Sequence, residues 1–310
     1  MGHFYRHIRH HLSTLPAMLV ALFLSQNAAS EIPTLHGLII DERLSELSGM
    51  AAVSYNKEQF WAINDGGLGN FLFAINAKGR IERQLKLPKI ENIDFEDIAA
   101  FRYRKRQLLA IADVGDNAGV RKVRPIYIIA EPKAGSDDIE LRWTVRFRFP
   151  DKVHDCESVF VDATEGFIYL VNKRTEPPIL FRVPLKPKRD EIVTAERIGD
   201  MPGIKSVQYN PVIGGSENQL KYATQPTSAA LSCDRRTISL LTYTAIYHYR
   251  RAKNQSWADA LVNAKPEQVL LPPLPQAESI AYGSDCQYLY VSSERTPSPI
   301  WRFAAPKAMK

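Results

Sequence analysis

Five oxygen-bearing side chains recur in this sequence, each at the start of a short apolar stretch. They are Ser48, Glu96, Glu157, Thr227 and Glu278, at successive spacings of 48, 61, 70 and 51 residues. If five copies of one unit surround an axis, these side chains converge there, and three carboxylates in a narrow channel repel unless a cation lies among them. Oxygen ligands without Cys or His suit a hard cation, and Ca²⁺ accepts about 6–8 oxygens. The pattern predicts a Ca²⁺ site; the alternative is that these residues only cap backbone groups where strands begin.

A second polar set follows the next apolar stretch of each copy. Its segments are Asn64-Asp65-Gly66-Gly67, Asp113-Val114-Gly115-Asp116-Asn117, Asn172-Lys173-Arg174, Thr242-Tyr243-Thr244 and Ser293-Glu294-Arg295. Asn-Asp-Gly and Gly-Asp-Asn are turn formers, so each segment alone has a structural explanation. Together their acids and cations suit a phosphorylated ligand, because a metal polarises the P–O bond, Lys and Arg neutralise oxygens, and an Asp orients water.

This interpretation divides the second set by role. The predicted catalytic residues are Asp65, Asp113 and Lys173, and the predicted ligand-binding residues are Asn64, Asp116, Asn117, Arg174 and Arg295. A surface that binds a glycan or a peptide would need the same polar rim. His154, which precedes Glu157, is either a proton donor or a loop residue without a role in the chemistry.

The units that must position these residues are five repeats of one supersecondary element, which indicates a propeller or an array. Runs rich in Val, Ile, Leu, Phe and Tyr lie between turn residues and predict strands, whereas helical signals are nearly absent. The fifth repeat is one strand short, and Leu35–Ile40 can supply it, as in propellers that close their ring with an N-terminal strand. We therefore predict an all-β, five-bladed β-propeller of four-stranded blades. The stretch Ile204–Pro226 is either an insertion or a degenerate sixth blade.

The ring of Ser, Glu, Glu, Thr and Glu, with the contexts Glu46-Leu47-Ser48 and Phe95-Glu96, resembles the calcium-activated apyrases. That family consists of secreted five-bladed propellers that hydrolyse nucleoside diphosphates around an axial calcium, so the resemblance implies the same fold, ion and compartment. Thr227 stands where the family has a serine, and the family's nucleotide-binding insertions are not recognisable. The Asp113–Asn117 turn also resembles uncharacterised secreted bacterial propellers and, more distantly, phytase-like propellers.

The first 30 residues predict secretion. They contain Arg6, Arg9, four histidines and no acid, then the apolar run Leu15–Leu24 and the small-residue end Ala28-Ala29-Ser30. This is the layout of a cleavable signal peptide, the alternative being a short membrane-tethered N-terminus. We expect residues 1–30 to be the signal peptide and residues 31–310 a single propeller domain in the secreted or periplasmic space. The run is too short to span a bilayer, which needs about 20 residues.

The charge of the chain indicates which kinds of partner to expect. The formal net charge is +6, with the basic residues scattered, so we expect a solvated surface, no nucleic acid partner and a monomer.

Three cysteines cannot all pair within one chain. Cys233 and Cys286 occupy equivalent turns of repeats four and five, so we predict a Cys233–Cys286 disulfide and a free Cys156.

Three classes of function remain open at this point. The first is a secreted Ca²⁺-dependent hydrolase of phosphate esters or anhydrides, with a small phosphorylated molecule as substrate. The second is a non-enzymatic, calcium-stabilised propeller that binds a glycan or a protein partner, and the third is a purely structural propeller. The fold alone cannot choose among them, because propellers host many unrelated activities.

Overall fold

Five blades, each an antiparallel sheet of four strands, correspond to the five sequence repeats, and the sheet of blade 2 has one additional strand at its outer edge. The structure, a computed structural model, describes residues 32–204 and 222–307. The predicted signal peptide and residues 205–221 of the predicted insertion lie outside the described residues. The prediction of an all-β, five-bladed β-propeller is confirmed.

Within each blade the strands run outward from the axis, and the innermost strands of neighbouring blades contact each other. Blade 1 contains β2 (Leu47–Ala52), β3 (Gln59–Asn64), β4 (Phe71–Asn76) and β5 (Ile81–Lys86); blade 2 contains β6 (Phe95–Tyr103), β7 (Arg106–Asp113), β8 (Arg124–Ala130) and β9 (Leu141–Arg148); blade 3 contains β10 (Cys156–Asp162), β11 (Phe167–Asn172), β12 (Ile179–Pro184) and β14 (Glu196–Asp200); blade 4 contains β15 (Pro226–Leu231), β16 (Thr237–Thr242), β17 (Ala245–Arg250) and β18 (Glu267–Leu270); blade 5 contains β19 (Ala277–Tyr282), β20 (Tyr288–Ser293), β21 (Ser298–Ala304) and β1 (Thr34–Ile39).

The N-terminal strand closes the ring as predicted. Strand β1 pairs antiparallel with β21, from Thr34 opposite Arg302 to Ile39 opposite Ser298. The two ends of the described chain are thereby joined in one sheet. This closure protects a strand edge that would otherwise offer unpaired N–H and C=O groups to other chains.

The hydrophobic core is divided among the five interfaces between adjacent blades. Inner and middle strands such as β3 and β19 are buried along their whole length, because they have a neighbouring blade on both faces. The outer strand β5 instead alternates between more and less exposed residues. Continuous apolar runs near the axis and alternating ones at the rim follow directly from this arrangement.

The chain between blades 3 and 4 differs from the prediction in its outer strands. The apolar pattern predicts a single last strand for the third repeat, over Thr194–Gly199, but the structure has two strands here. The first, β13 (Ile192–Thr194), pairs in parallel with β9 of blade 2, and only the second, β14, completes blade 3. The outer edge of blade 2 offers N–H and C=O groups with which β13 pairs. A prediction made one repeat at a time does not include such pairing between blades.

A seven-residue helix, α1 (Trp257–Asn263), lies between β17 and β18. Ser256 caps it by accepting a hydrogen bond from Asp259 N at 3.1 Å, and the buried Trp257 indole donates to Asp162 of blade 3 at 3.2 Å. The helix therefore links blades 3 and 4. No helix among residues 32–204 and 222–307 is long and apolar enough to cross a membrane.

The predicted disulfide is confirmed. Cys233 and Cys286 are bonded, with their Cα atoms 6.0 Å apart, and Cys156 is free and buried. The two turns meet because equivalent hairpins of adjacent blades lie side by side near the axis. The bridge thus joins blade 4 to blade 5 at the end of the propeller opposite the ring of Glu96 and Glu157.

A buried polar group also links blades 4 and 5. The Ser239 hydroxyl is 2.9 Å from His248 Nδ1 and 2.8 Å from the Tyr282 hydroxyl. Burial, with a smaller contribution from Arg250, lowers the pKa of His248 from 6.5 to about 4. The folded protein therefore keeps this imidazole neutral at pH values where an unfolded chain would protonate it.

We expect His248 to destabilise the protein on acidification. Between about pH 6.5 and pH 4 the unfolded state binds a proton that the folded state does not, so the free energy of unfolding falls as the pH is lowered, by up to about 3 kcal/mol. Urea unfolding of wild type and His248→Gln from pH 7.5 to pH 4 measures the difference, and other titrating groups cancel in this comparison. Parallel curves for the two proteins would contradict the prediction.

Candidate functional site

The five residues of the predicted ring occupy one structural position. In every innermost strand the second residue has no partner in the adjacent strand of the blade, and this irregularity is a β-bulge. The skipped residues are Ser48, Glu96, Glu157, Thr227 and Glu278, and all five are buried. A bulge turns the extra side chain away from the regular alternation, so five bulges in register aim five side chains at one end of the axis.

Two overlapping groups of carboxylates form at this end. Oxygens of Asp65, Asp94 and Glu96 lie within 4.8 Å of one another, and so do oxygens of Glu96, Asp155 and Glu157. Glu96 belongs to both groups. A cluster of five acids with only oxygen donors could hold a metal ion, and we call it the acidic mouth.

Several oxygens in and beside the acidic mouth have no hydrogen-bond partner in the described part of the chain. Glu96 Oε1, Glu157 Oε2 and Ser48 Oγ are buried and accept no hydrogen bond from the described residues. Burial and the neighbouring acids raise the pKa of Glu96 well above its ordinary value, and burial raises the pKa of Glu157 against the opposing effect of Lys173. Buried polar atoms are seldom left without a partner, so these oxygens fit a cation that is held between them.

Gly115 leaves the room that this arrangement needs. A Cβ atom added at this position would collide with Glu96 Oε1 and would lie 2.6 Å from the Asp94 carboxyl carbon. A side chain at this position would therefore have to displace both carboxylates. The constraint on Gly115 is this close approach and not its dihedral angles.

Thr227 and Glu278 have partners of their own. The Thr227 hydroxyl donates to the Ala277 carbonyl of blade 5 at 2.7 Å. Glu278 accepts from the Tyr243 hydroxyl at 3.0 Å and from Gln276 at 3.3 Å. Burial and Glu278 raise the pKa of the adjacent Glu294 to about 10. This side of the ring is thus held by hydrogen bonds between blades 4 and 5.

Lys173 extends into the ring itself. Its ammonium contacts Glu157, lies 5.2 Å from the centroid of the Tyr243 ring, and is largely buried. Burial lowers its pKa, but the charges of Glu157 and its neighbours outweigh that effect and raise it. Lys173 is therefore a fixed positive charge at one side of the acidic mouth.

The other predicted cation, Arg174, is partly accessible. It bonds Asp155 at 2.7 Å, contacts Asn117, and keeps 45% of its side chain exposed. The Arg295 side chain is exposed, while its backbone N–H donates to the Ser45 carbonyl at 2.7 Å. These two arginines can reach a ligand that enters from solvent.

Asp113 and Asp116 are occupied by ion pairs. Arg121 bonds Asp113 at 2.7 Å, and Arg124 bonds Asp116 at 2.5 Å in a fully buried pair. Asp116 also accepts from two backbone N–H groups of its own loop. Both acids therefore organise the loop after β7.

Asn64 and His154 likewise have structural partners. The Asn64 amide donates to the Arg43 carbonyl at 2.6 Å. His154 bonds Asp151 at 3.0 Å and packs its ring on Phe149 and Phe181 at 4.9 and 4.8 Å between centroids. The His154 ring is thus held away from the acidic mouth by aromatic packing, which fits the alternative in which it has no part in the chemistry.

Two residues of the acidic mouth were not predicted from the sequence, although their spacing from the ring glutamates is a recognisable pattern. Asp94 and Asp155 each lie two residues before a ring glutamate, in Asp-Phe-Glu and Asp-Cys-Glu. The equivalent position is acidic or an amide in all five blades: Glu46, Asp94, Asp155, Gln225 and Gln276. Of these, Asp94 and Asp155 lie in the acidic mouth, and Gln276 donates a hydrogen bond to Glu278.

Asp97, immediately after Glu96, was also missed and has a different role. Its carboxylate accepts hydrogen bonds from Val159 N at 2.8 Å, Ala229 N at 3.1 Å and the Ser228 hydroxyl at 3.0 Å, besides the N–H of Ile98. These partners belong to the innermost strands of blades 3 and 4. Burial raises the pKa of Asp97 and the hydrogen bonds oppose that rise. One carboxylate thus bridges three blades across the axis.

Comparison with known proteins does not place the chain in a family. No protein-family model and no curated protein matches it. Among solved structures, a nidogen/laminin complex aligns with 81% of this chain and 73% of its own, at 10% identity and a TM-score of 0.41. Hydrazine synthase of Kuenenia stuttgartiensis aligns with 86% of this chain at 10% identity and a TM-score of 0.38, and this chain spans 58% of its length. The fold assignment therefore rests on the strand pairing described above.

We expect Asp97→Asn to lower the free energy of unfolding by about 3 kcal/mol, because whichever way the amide is turned, a donor faces at least one backbone N–H. Ser158→Ala is the matched control at the equivalent position of blade 3, where the buried hydroxyl has no hydrogen-bond partner within residues 32–204 and 222–307. That variant should remain close to wild type. Equal stability of the two variants in urea unfolding would contradict the bridging role of Asp97.

Proposed function

We propose that the acidic mouth binds one Ca²⁺ ion. The observation that carries this proposal is the position of Glu96, which belongs to both clusters of carboxylates and has a buried oxygen with no partner among the described residues. Donors limited to oxygen favour a hard cation. Ca²⁺ accepts more ligands and a less regular geometry than Mg²⁺, which suits five clustered carboxylates. Glu96, Glu157, Asp94 and Asp155 would hold it, with Ser48 as a further donor, and Asp65 would lie beside it.

We further propose that the bound ion serves hydrolysis of a phosphate ester or anhydride. When bound, the ion would polarise a phosphoryl oxygen. Arg174 and Arg295 would bind the remaining oxygens from the solvent side. Asp65 is half-buried and its carboxylate lies within 4.8 Å of those of Asp94 and Glu96, so it can serve as a general base beside the ion.

In this reaction a water oxygen forms a bond to phosphorus while the bond to the leaving oxygen breaks. Asp65 accepts the proton of the attacking water. The negative charge that develops on the leaving oxygen is countered by the nearby guanidinium of Arg174. Lys173 remains paired with Glu157 and limits the negative charge of the mouth, so its role here is positioning rather than proton transfer.

A calcium-stabilised propeller that binds a glycan or a protein is the second candidate. The observation that favours it is that Lys173, Arg174 and Arg121 are each already paired with an acid. A ligand without phosphate could then bind through the exposed polar rim alone. In either case we propose a secreted or periplasmic protein, which is supported by the Cys233–Cys286 disulfide, since such bonds persist in oxidising compartments.

Calcium should stabilise the folded protein. An ion that binds only the folded state adds about 2.7 kcal/mol at a hundredfold excess over Kd, so calcium should raise the melting temperature and chelator should lower it. Glu96→Gln should weaken Ca²⁺ binding by at least about tenfold in calorimetric titration, because it removes a charge shared by both carboxylate groups. The exposed Glu58→Gln is the control. Melting temperatures equal in calcium and chelator would refute the ion site.

If the protein is a hydrolase, Asp65→Asn should lower phosphate release by about 10²–10⁴-fold at saturating calcium, because it removes the general base. Release is measured with nucleoside diphosphates and triphosphates, phytate and aryl phosphates, and Asp190→Asn in an exposed turn is the control. Chelator should abolish the activity of wild type. Calcium binding without phosphate release from any substrate would reject the hydrolase and favour the binding propeller.

A further inference from the structure

The opposite end of the axis contains a cavity that the proposed function does not use. Its volume is about 690 Å³. Small side chains leave this space open, because blades 1, 2 and 4 carry paired alanines where the innermost strands leave the axis: Ala51-Ala52, Ala99-Ala100 and Ala229-Ala230. Leu231 is half-buried and adds a larger apolar side chain, whereas Met50, Ile98, Phe160 and Ile280 border the cavity but pack their side chains between the blades. The interior is therefore an apolar chamber of the size that small-molecule sites have.

The chamber is separate from the acidic mouth. Its lining in blade 2 begins at Ile98, and Asp97 lies between that residue and Glu96. The hydrogen bonds from Val159 and Ala229 to Asp97 draw the innermost strands together at this level. A molecule that enters from the chamber side meets this polar layer before it can reach the carboxylates.

The entrance of the chamber is basic. Strand β6 is nine residues long and β7 eight, so their hairpin projects beyond the shorter hairpins of the other blades. It carries Arg102, Arg104 and Lys105 to the rim, and Arg235 joins them from blade 4. The one acid in the lining, Glu131, already accepts hydrogen bonds from Ser54 N at 2.7 Å and from the Trp61 indole at 3.0 Å.

We propose that this chamber binds a small amphiphilic anion. The apolar part of the ligand lies among the alanines, and its carboxylate, sulfate or phosphate group lies against the exposed cations of the hairpin. Apolar walls provide the hydrophobic contribution to binding, and the four rim cations select the negative charge. The site does not depend on calcium, because Asp97 separates it from the acidic mouth.

The test uses 8-anilinonaphthalene-1-sulfonate, whose fluorescence rises in an apolar site, in titrations of the folded protein. Arg104→Gln/Lys105→Gln should weaken its binding by about tenfold, since two partly screened charges are lost. Lys188→Gln/Arg189→Gln is the matched control, because it removes the same charge from an exposed turn of blade 3. Equal binding by the two double variants would overturn the basic rim.

Two further arms define the occupant and the place. Decanoate should displace the probe, whereas decyltrimethylammonium and decyl glucoside should not, and displacement by all three would reject selection of an anion. Ala100→Phe, at an exposed alanine of the lining, should block the chamber with little effect on the melting temperature. Glu96→Gln should bind the probe as wild type does, so failure of the calcium site leaves this result unaffected. Unchanged binding by Ala100→Phe, or no binding by wild type, would overturn the proposal.

Discussion

The hydrogen bonds to Asp97 are the interaction on which the arrangement of the axis depends. In a propeller the innermost strands converge, and their inner edges carry N–H groups that no further strand can pair. Asp97 accepts from Val159 N and Ala229 N, and so joins blade 2 to blades 3 and 4 at the point of closest approach. Without this acceptor two buried N–H groups would have no partner, and the hydrogen bonds that join these three strands through Asp97 would be lost.

The acidic mouth depends on this layer. Because Glu96 precedes Asp97 in the same bulged strand, fixing Asp97 on the axis fixes the direction in which Glu96 points. The same bulge repeats in the other four blades, but the partners differ. Lys173 neutralises Glu157, Thr227 bonds a backbone carbonyl, and Glu278 receives hydrogen bonds. The negative charge without a protein counterion among the described residues is therefore concentrated around Glu96, which belongs to both clusters of carboxylates.

Asp97 also lies between two ends of the propeller that differ in chemistry. One end gathers carboxylates, and the other surrounds an apolar chamber with a rim of cations. The buried hydrogen bonds of Asp97 to blades 3 and 4 lie between these two ends. The Cys233–Cys286 bridge joins blades 4 and 5 at the basic end.

The sequence alone determined the repeat, and with it much of the fold. Regular recurrence of apolar runs predicted five blades, closure by the strand near Leu35, and a common position for the ring residues, because strand pattern and spacing are local properties. Equivalent turns likewise predicted the disulfide between Cys233 and Cys286. The tertiary structure alone decided which side chains meet: it brought Asp94 and Asp155 to Glu96, turned Thr227 to a backbone carbonyl, and bonded Asp97 to two other blades. It also placed β13 on the edge of blade 2 and opened the chamber beneath the alanines. These contacts join residues tens of positions apart, and they arise only when ring closure sets the distance between blades, which no local pattern encodes.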